Sequence, residues 1–256
     1  MAGERVTISI VSHGQERLLQ GLLDDLAGPA DCVERLVITH NLAGAADVSC
    51  PEAMSGRCWQ IHNIQPKGFG ANHNAAFTLC DTEWFAVVNP DIRLQSDVFA
   101  QLIAQAAPDD VVLAPALVDP ESGRVAPNRD LLTPWEVLRR RLPGWQPPVV
   151  PVWLPGAFLL LRAEAFERVG GFDERFFLYA EDFDLCARLR LAGGRLRYVP
   201  QVRVSHAAQR SSHVRWRYLR WHATSLLRLW GGGAFWRYRA FLRGDALVRD
   251  AAQPPR

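Results

Sequence analysis

Short apolar stretches rich in β-branched residues alternate with stretches of helical periodicity through the first half of the chain. Residues 6–13 (VTISIVSH) have the pattern of a buried strand, residues 16–27 (ERLLQGLLDDLA) have that of an amphipathic helix, and the alternation continues to residue 118. Strands and helices that alternate at this spacing predict an α/β fold, in which helices cover both faces of a mostly parallel sheet.

Polar residues follow the predicted strands. In an open α/β sheet, the ligand site lies outside the carboxyl ends of the strands. The residues at these ends are therefore candidates for binding: Ser12, His13, Gly14, His40, Asn41, Asn89, Asp91 and the loop 63–70.

A loop interrupted by glycines, residues 67–74 (KGFGANHN), leads into a predicted helix. Glycines let the backbone approach a nucleotide closely, and a helix N-terminus favours phosphate. The loop is neither a dinucleotide-binding G-x-G-x-x-G motif nor a P-loop, because the third glycine is missing and Lys67 precedes the glycines. A tight turn with asparagine caps explains the same residues, so both interpretations stay open.

Asp91 ends an apolar strand in the sequence VVNPDI. Asn, Pro and Asp are typical of a turn that ends a strand. A carboxylate at this edge would also suit a divalent cation that bridges a diphosphate, since hard cations take oxygen ligands. His206 ends the last predicted strand and becomes a second candidate metal ligand if the strand order brings it beside Asp91; otherwise it is structural.

Three acids stand within four positions in the sequence FFLYAEDFDLC, residues 176–186: Glu181, Asp182 and Asp184. They come at the start of a predicted helix, where each acid stabilises the first turn by about 0.3–1 kcal/mol. A second explanation is a general base that the same helix start keeps ionised. This segment alone does not decide between them.

The middle of the chain is less regular. Residues 119–150 are rich in Pro and Arg, and we predict a loop with one short helix that lies over the site. A buried strand resumes within residues 153–162, and residues 195–206 form the last strand of the domain.

Composition and charge limit the class of protein. The 256 residues are 48% hydrophobic and 22% charged with a net charge of +2, which suits one α/β domain with a tail and does not favour nucleic acid as a partner. Five cysteines without a C-x-x-C pair predict neither a zinc knuckle nor a disulfide framework, and favour a reducing cytosol. We expect no signal peptide and no membrane span, because the apolar runs are too short.

The C-terminal segment is basic and aromatic. Residues 209–243 contain eight arginines, no acid, four tryptophans and two tyrosines. We predict a main domain of residues 1–208 and a helical tail of residues 209–256 that binds an anionic membrane surface. The alternative is a tail whose tryptophans dock on the domain.

The order of the motifs resembles a known family. IVSHG, KGFGANHNAAF, NPDI, the segment 153–206 and RWHATSLLRL together are similar to family 2 glycosyltransferases, in particular to bacterial rhamnosyltransferases of O-antigen or cell-wall polysaccharide assembly. The resemblance covers residues 6 to about 230, and the segment 153–206 is its most specific part. It implies the GT-A fold, a Rossmann-like sheet, and transfer from dTDP-L-rhamnose to a polyprenyl-diphosphate-linked sugar on the cytoplasmic membrane surface. It leaves the oligomeric state undetermined.

The resemblance also implies roles for residues of this chain. Asp91 holds Mg²⁺ or Mn²⁺ against the donor diphosphate, and His206 completes the metal site. Asp182 is the catalytic base, with Glu181 beside it. The nucleotide-sugar donor is contacted by Ser12, His13, Gly14, His40, Asn41, Lys67, Gly68, Phe69, Gly70, Asn72, Asn74, Asn89 and Asp91, and the acceptor by Pro155, Gly156 and Ala157.

Two departures from the family pattern leave alternatives open. The second strand commonly ends in Asp-Asn, where this chain has His40 and Asn41, and the metal motif begins with Asn89 instead of Asp. The first puts the nucleotide preference in doubt, and the second leaves a single carboxylate for the metal. Alternatives are a family 2 transferase with a galactofuranosyl or glucosyl donor, and an inactive relative that only binds a nucleotide-sugar. A sugar-1-phosphate nucleotidyltransferase fits less well, because the first strand is not followed by a Gly-rich basic loop.

Overall fold

One mixed sheet forms the centre of the computed structural model, which describes residues 4–28, 30–207 and 216–252. Its strands are β1 (Val6–Ser12), β2 (Val33–His40), β3 (Cys58–His62), β4 (Trp84–Val88), β5 (Ile92–Arg93), β6 (Asp110–Val118), β7 (Phe158–Arg162) and β8 (Arg195–His206). Their order is β3-β2-β1-β4-β7-β6-β8-β5. Four pairings are parallel, whereas β7 runs antiparallel to β4 and β6, and β5 to β8. The predicted mostly parallel sheet is confirmed, with two antiparallel strands that periodicity does not reveal.

Helices cover both faces of this sheet. They are α1 (Glu16–Leu26), α2 (Phe69–Phe77), α3 (Val98–Ile103), α4 (Pro134–Arg139), α5 (Ala163–Arg168), α6 (Glu181–Leu191), α7 (Trp216–Gly231) and α8 (Gly233–Ala252). On α1 the buried leucines are Leu19, Leu22, Leu23 and Leu26, which share one face of a helix. This spacing is why the first helix is readable from the sequence.

The core consists of two apolar layers, one on each face of the sheet. In β4, Trp84 and Val88 point into the layer beneath α1 and α3, whereas Phe85 and Val87 point into the layer shared with α5 and α6. Successive side chains of a strand point to opposite faces, so a central strand buried on both faces is apolar throughout.

The C-terminal helices dock on the second of these layers. Leu229 and Phe235 are buried in it, and the Tyr238 hydroxyl donates to the Val152 carbonyl at 2.5 Å. Trp230 Nε1 donates to the Leu132 carbonyl at 2.7 Å. The structure thus supports the docking alternative for the tail. The predicted boundary at residues 208 and 209, and the tail arginines Arg210 and Arg215, lie outside the described residues. No described helix is long and apolar enough to cross a bilayer.

One expectation about the cysteines is wrong. Cys50 and Cys58 form a disulfide with their Cα atoms 6.4 Å apart, whereas Cys32, Cys80 and Cys186 form no disulfide within the described part of the chain. The loop after β2 returns Cys50 to the first residue of β3, and the spacing of cysteines in the sequence does not reveal this return.

Candidate active site

A cleft of about 600 Å³ opens at the carboxyl ends of β1, β2 and β4. The strand order places β1 between β2 and β4, so the polar residues that follow these strands meet at one edge. Thirteen of the predicted site residues line the cleft: His13, Gly14, Asn41, Lys67, Phe69, Asn72, Asn89, Asp91, Pro155, Gly156, Ala157, Glu181 and Asp182. The cleft therefore joins predicted site residues that lie up to 169 positions apart in the sequence, from His13 to Asp182.

Asp91 and His206 come together at the edge of this cleft. The short strand β5 pairs antiparallel with β8 and sets Ile92 opposite His206. His206 Nε2 then lies 3.4 Å from Asp91 Oδ2, although His206 itself is not on the cleft wall. Asp91 Oδ1 is buried and has no hydrogen-bond partner within the described part of the chain. A carboxylate oxygen without a partner next to an imidazole suits a divalent cation.

Asp182 is held at the start of α6 by backbone donors. Gly156 N–H donates to Asp182 Oδ2 at 2.9 Å, and Phe183 N–H donates to Oδ1 at 2.8 Å. The two residues before the helix, Tyr179 and Ala180, have φ values of 73° and 67°. Non-glycine residues rarely adopt this left-handed conformation, and strain of this kind concentrates at functional sites.

Burial is the main cause of the pKa shifts of Asp182 and Glu181. It raises the pKa of Asp182, although the N–H groups of Gly156 and Phe183 and the charge of Arg129 act in the opposite direction. Burial and the charge of Asp182 raise the pKa of Glu181 well above its ordinary value, and Glu181 Oε2 has no described hydrogen-bond partner. The helix start was expected to keep the base Asp182 ionised, but burial outweighs the backbone donors, so the pKa of Asp182 is raised instead of lowered. A raised pKa suits a general base that works near neutral pH.

Asn41 sets the shape of the loop that precedes α2. Its Nδ2 donates to the Lys67 carbonyl at 2.9 Å, and its Oδ1 accepts from the Lys67 N–H at 2.8 Å. Asn63 Nδ2 donates to Asn41 Oδ1 at 2.8 Å and to Asn72 Oδ1 at 2.6 Å. These amides fix the backbone of Lys67. The Lys67 side chain therefore extends from a defined position on the cleft wall.

Comparison with known proteins decides the family. The profile of glycosyl transferase family group 2 matches residues 91–244, more than half of the chain, from Asp91 into α8. The chain belongs to this family. It is therefore a glycosyltransferase.

Curated relatives of this glycosyltransferase include rhamnosyltransferases. It is 28% identical over 244 residues to rhamnosyltransferase WbbL of Escherichia coli K12. This alignment covers 87% of this chain and 91% of WbbL. It is 35% identical over 145 residues to N-acetylglucosaminyl-diphospho-decaprenol L-rhamnosyltransferase of Mycobacterium tuberculosis H37Rv. This alignment covers 48% of this chain and 47% of the mycobacterial protein. The chain thus spans nearly all of the first relative and about half of the second.

Solved structures confirm the GT-A fold of the glycosyltransferase. The mannosyltransferase PcManGT from Pyrobaculum calidifontis, solved with GDP-Man and Mn²⁺, superposes with a TM-score of 0.58 at 17% identity and covers 98% of this chain and 76% of that chain. GalNAc-T7, solved with UDP, GalNAc and Mn²⁺, gives a TM-score of 0.61 at 16% identity over 79% of this chain and 44% of that chain.

Several residues of the glycosyltransferase that were predicted to contact the nucleotide-sugar donor support the cleft without lining it. Ser12 Oγ accepts from the Gln15 N–H at 3.3 Å, in the turn after β1. A Cβ on Gly68 would lie 3.0 Å from the Phe177 backbone, and a Cβ on Gly70 only 2.5 Å from Phe172 Cβ. Both glycines therefore permit close packing of α2 against the segment before α6.

Asn74 also has a structural position. Its Oδ1 accepts from the Phe172 N–H, and its Nδ2 donates to the Phe172 carbonyl, both at 2.9 Å. Asn74 is absent from the cleft wall. It joins α2 to the segment that leads to α6 and so holds the two sides of the cleft together.

His40 is buried behind the cleft. Its Nε2 donates to Gln60 Oε1 at 2.8 Å, and its ring stacks on that of His62 at 4.6 Å with an interplanar angle of 9°. His40, His62 and Asp47 each offer a ligand atom within 4.8 Å of the others. The lone pairs of parallel stacked rings do not converge, so this group would need a ring rotation to chelate a metal.

The sequence did not identify one wall of the cleft. Tyr218 and Trp221 of α7 line it, and Trp221 packs on Phe177 with ring centroids 4.8 Å apart. Their spacing of three residues, which places both on one face of a helix, was the available signal. Conversely, no described cleft-lining residue comes from residues 119–150. The prediction that this segment lies over the site is not confirmed.

Proposed function

We propose that this glycosyltransferase is an inverting enzyme that moves L-rhamnose from dTDP-L-rhamnose to a polyprenyl-diphosphate-linked saccharide, such as a GlcNAc-diphosphate lipid, in bacterial surface polysaccharide assembly. The names of both curated relatives support rhamnose, and the name of the mycobacterial relative supports the diphosphate-linked acceptor. The observation that carries the proposal is the cleft itself, which is lined by two carboxylates, the buried Asp91 and the half-buried Asp182.

The donor side of the cleft fits a nucleotide diphosphate. Asp91 and His206 would hold a divalent cation, Mg²⁺ or Mn²⁺, and the imidazole favours Mn²⁺ because nitrogen ligands suit transition metals. When bound, the cation neutralises charge on the departing diphosphate. Lys67 adds a positive side chain on the same wall.

Asp182 acts on the acceptor side. Its carboxylate accepts the proton of the acceptor hydroxyl, whose oxygen attacks the anomeric carbon as the bond to the nucleoside diphosphate breaks. The Gly156 N–H orients the carboxylate from behind. A single displacement inverts the anomeric centre, so a β-linked donor gives an α-L-rhamnoside. General base catalysis of this kind contributes about 10²–10⁴-fold to the rate.

The C-terminal helices supply a surface for the inner face of the plasma membrane. Trp216, Leu219 and Leu227 are exposed on α7, on the same helix as the exposed arginines Arg220 and Arg228. Basic residues next to exposed apolar side chains bind anionic lipid headgroups.

Deletion of residues 209–256 would test membrane binding poorly, because it would also uncover the core. The combined substitution Arg220→Gln, Arg228→Gln and Leu227→Gln keeps the buried face of α7. Because each arginine near an anionic surface contributes about 1 kcal/mol to binding, we expect it to reduce sedimentation with phosphatidylglycerol vesicles by about tenfold. Sedimentation equal to that of the wild type would contradict the proposed membrane surface.

The decisive experiment measures transfer from a panel of dTDP-, UDP- and GDP-sugars, with Mg²⁺ or Mn²⁺, to a synthetic GlcNAc-diphosphate lipid. Turnover of dTDP-rhamnose by the wild type and its loss in Asp182→Asn would establish the donor and the base together. Turnover of another sugar would keep the mechanism and reject rhamnose. Nucleotide binding without turnover would favour the inactive relative that Asn89 and His40 suggest.

A further inference from the structure

A second cavity of about 340 Å³ is lined by Trp153, two residues before the cleft residue Pro155. Three arginines line it, Arg129, Arg140 and Arg141, together with Trp145 and Trp153. All of these except Trp153 come from the Pro- and Arg-rich segment of residues 119–150, which contributes no described residue to the cleft wall. The cavity is large enough for a small ligand.

Two donors in this cavity lack acceptors. Arg129 Nε and Trp145 Nε1 are buried, and neither atom has a hydrogen-bond partner among the described residues. Across the described ranges, none of Arg129, Arg140 and Arg141 forms an ion pair. The two acids on the wall, Asp130 and Glu136, are already paired with a fourth arginine, Arg139, which is not part of the cavity wall.

The positive charge is therefore unbalanced. Burial, together with the charges of Arg129 and Arg141, lowers the pKa of Arg140. Buried donors without partners destabilise a protein, and an anion with several oxygen acceptors would satisfy Arg129 Nε and Trp145 Nε1. The same anion would pair with the half-buried Arg140 and the exposed Arg141. Guanidinium groups bind phosphate oxygens in particular, often with two parallel hydrogen bonds.

The cavity is connected to the catalytic base. Arg129 pairs with Trp153 through the backbone, and its guanidinium lies over the Trp153 ring, 5.8 Å from the centroid. Three residues after Trp153, Gly156 donates its N–H to Asp182. The charge of Arg129 also acts on the ionisation of Asp182. An anion in the cavity and a hydroxyl at Asp182 could thus belong to one substrate molecule.

The same segment also presents an apolar surface. Trp135, Leu138, Leu142 and Val149 are exposed, with exposed fractions of 61%, 55%, 52% and 93%. Four large apolar side chains within fifteen residues provide a surface for a hydrocarbon chain next to the anion site.

We propose that Arg129, Arg140 and Arg141 bind the diphosphate of the lipid-linked acceptor, and that its prenyl chain runs along the exposed apolar side chains of residues 134–150. This subsite rests on the proposed function, because it assigns a position to the acceptor of that reaction. It places the sugar hydroxyl at Asp182 and the diphosphate in the cavity.

The test compares two acceptors in a solution without vesicles. One is GlcNAc-diphosphate on a short alkyl chain, and the other is the neutral alkyl glycoside of GlcNAc. In the double variant Arg140→Gln, Arg141→Gln, we expect kcat/KM for the diphosphate acceptor to fall about 10–100-fold, since a hydrogen bond to a charged group contributes about tenfold or more. Activity on the neutral acceptor and the KM of the donor should not change.

Arg168→Gln is the matched control, because this exposed arginine of α5 is paired with Glu164, and neither residue lines the cavity. It should keep the wild-type preference for the diphosphate acceptor. A double variant that also keeps this preference would overturn the subsite and leave the proposed function intact. If the wild type transfers no sugar to either acceptor, the proposed function fails instead.

A binding measurement tests the subsite without turnover. Inorganic diphosphate should change the tryptophan fluorescence of the wild-type protein when the donor site is saturated with dTDP, and the double variant should lose this response. Absence of binding to the wild type would overturn the subsite. If phosphatidylglycerol vesicles but not inorganic diphosphate bind through Arg140 and Arg141, the ligand is a lipid headgroup and the subsite is likewise rejected.

Discussion

Leu229→Ala tests whether the C-terminal helices belong to the folded core. Leu229 of α7 is 2% exposed within the second apolar layer, whereas Leu227 on the same helix is 66% exposed. Replacement by alanine removes three carbons, which costs about 2.4 kcal/mol in transfer free energy, and the cavity left behind raises the cost to about 3–5 kcal/mol. For a chain of this size, that corresponds to a fall in Tm of about 6–15 °C.

Thermal and urea denaturation of both alanine variants measure this difference. Leu227→Ala makes the same chemical change two residues away, and a surface substitution of this kind costs at most about 0.5 kcal/mol. If Leu229→Ala unfolds no more easily than Leu227→Ala, the docking of α7 is wrong and the tail is an independent appendage. A loss of activity in Leu229→Ala at a temperature where it is folded would further connect α7 to the cleft, since Trp221 lines it.

Four further substitutions test the site. Asp182→Asn is expected to lower kcat by about 10²–10⁴-fold, because an amide cannot accept the acceptor proton, while calorimetry should show unchanged nucleotide binding; a smaller loss than tenfold would exclude Asp182 as the base. Glu181→Gln is expected to stabilise the fold increasingly as the pH rises above the ordinary pKa of glutamate towards the raised folded pKa, because a carboxyl with a raised pKa stabilises the folded state only while protonated. Thermal melts from pH 4 to 8 measure this, and a gap to the wild type that stays constant would contradict the raised pKa. Asp91→Asn and His206→Ala are each expected to raise the Mn²⁺ concentration for half-maximal activity by about tenfold or more, and an unchanged metal requirement would remove both residues from the metal site.

Much of the fold could be predicted from local sequence patterns. The β-branched runs and the leucines of α1 repeat with the period of their own element, so strands and helices can be read from short windows. Asp91 was identifiable because polar residues at the end of an apolar strand must lie at the ligand edge of such a sheet. Asp182 was identifiable because acids concentrate at its helix start, and the resemblance of residues 153–206 to the family assigned it the role of base.

Contacts between residues far apart in the sequence could not be predicted from such local patterns. Gly70 and Asn74 stand in a loop that suggests a nucleotide contact, yet their partner is Phe172, about a hundred positions away. The ionisation of Glu181 likewise depends on burial, which surrounding elements determine and which the helix start itself does not show.

The sequence by itself determined most of the elements and the fold class, and it identified Asp91 and Asp182 as candidates, because each of these depends on the order of neighbouring residues. Only the tertiary structure decided that His206 meets Asp91, that Cys50 pairs with Cys58, and that α7 forms a wall of the cleft. These features depend on strand order and on the packing of helices across the sheet. Such contacts arise from the burial of apolar surface over the whole chain, which no short window of sequence specifies.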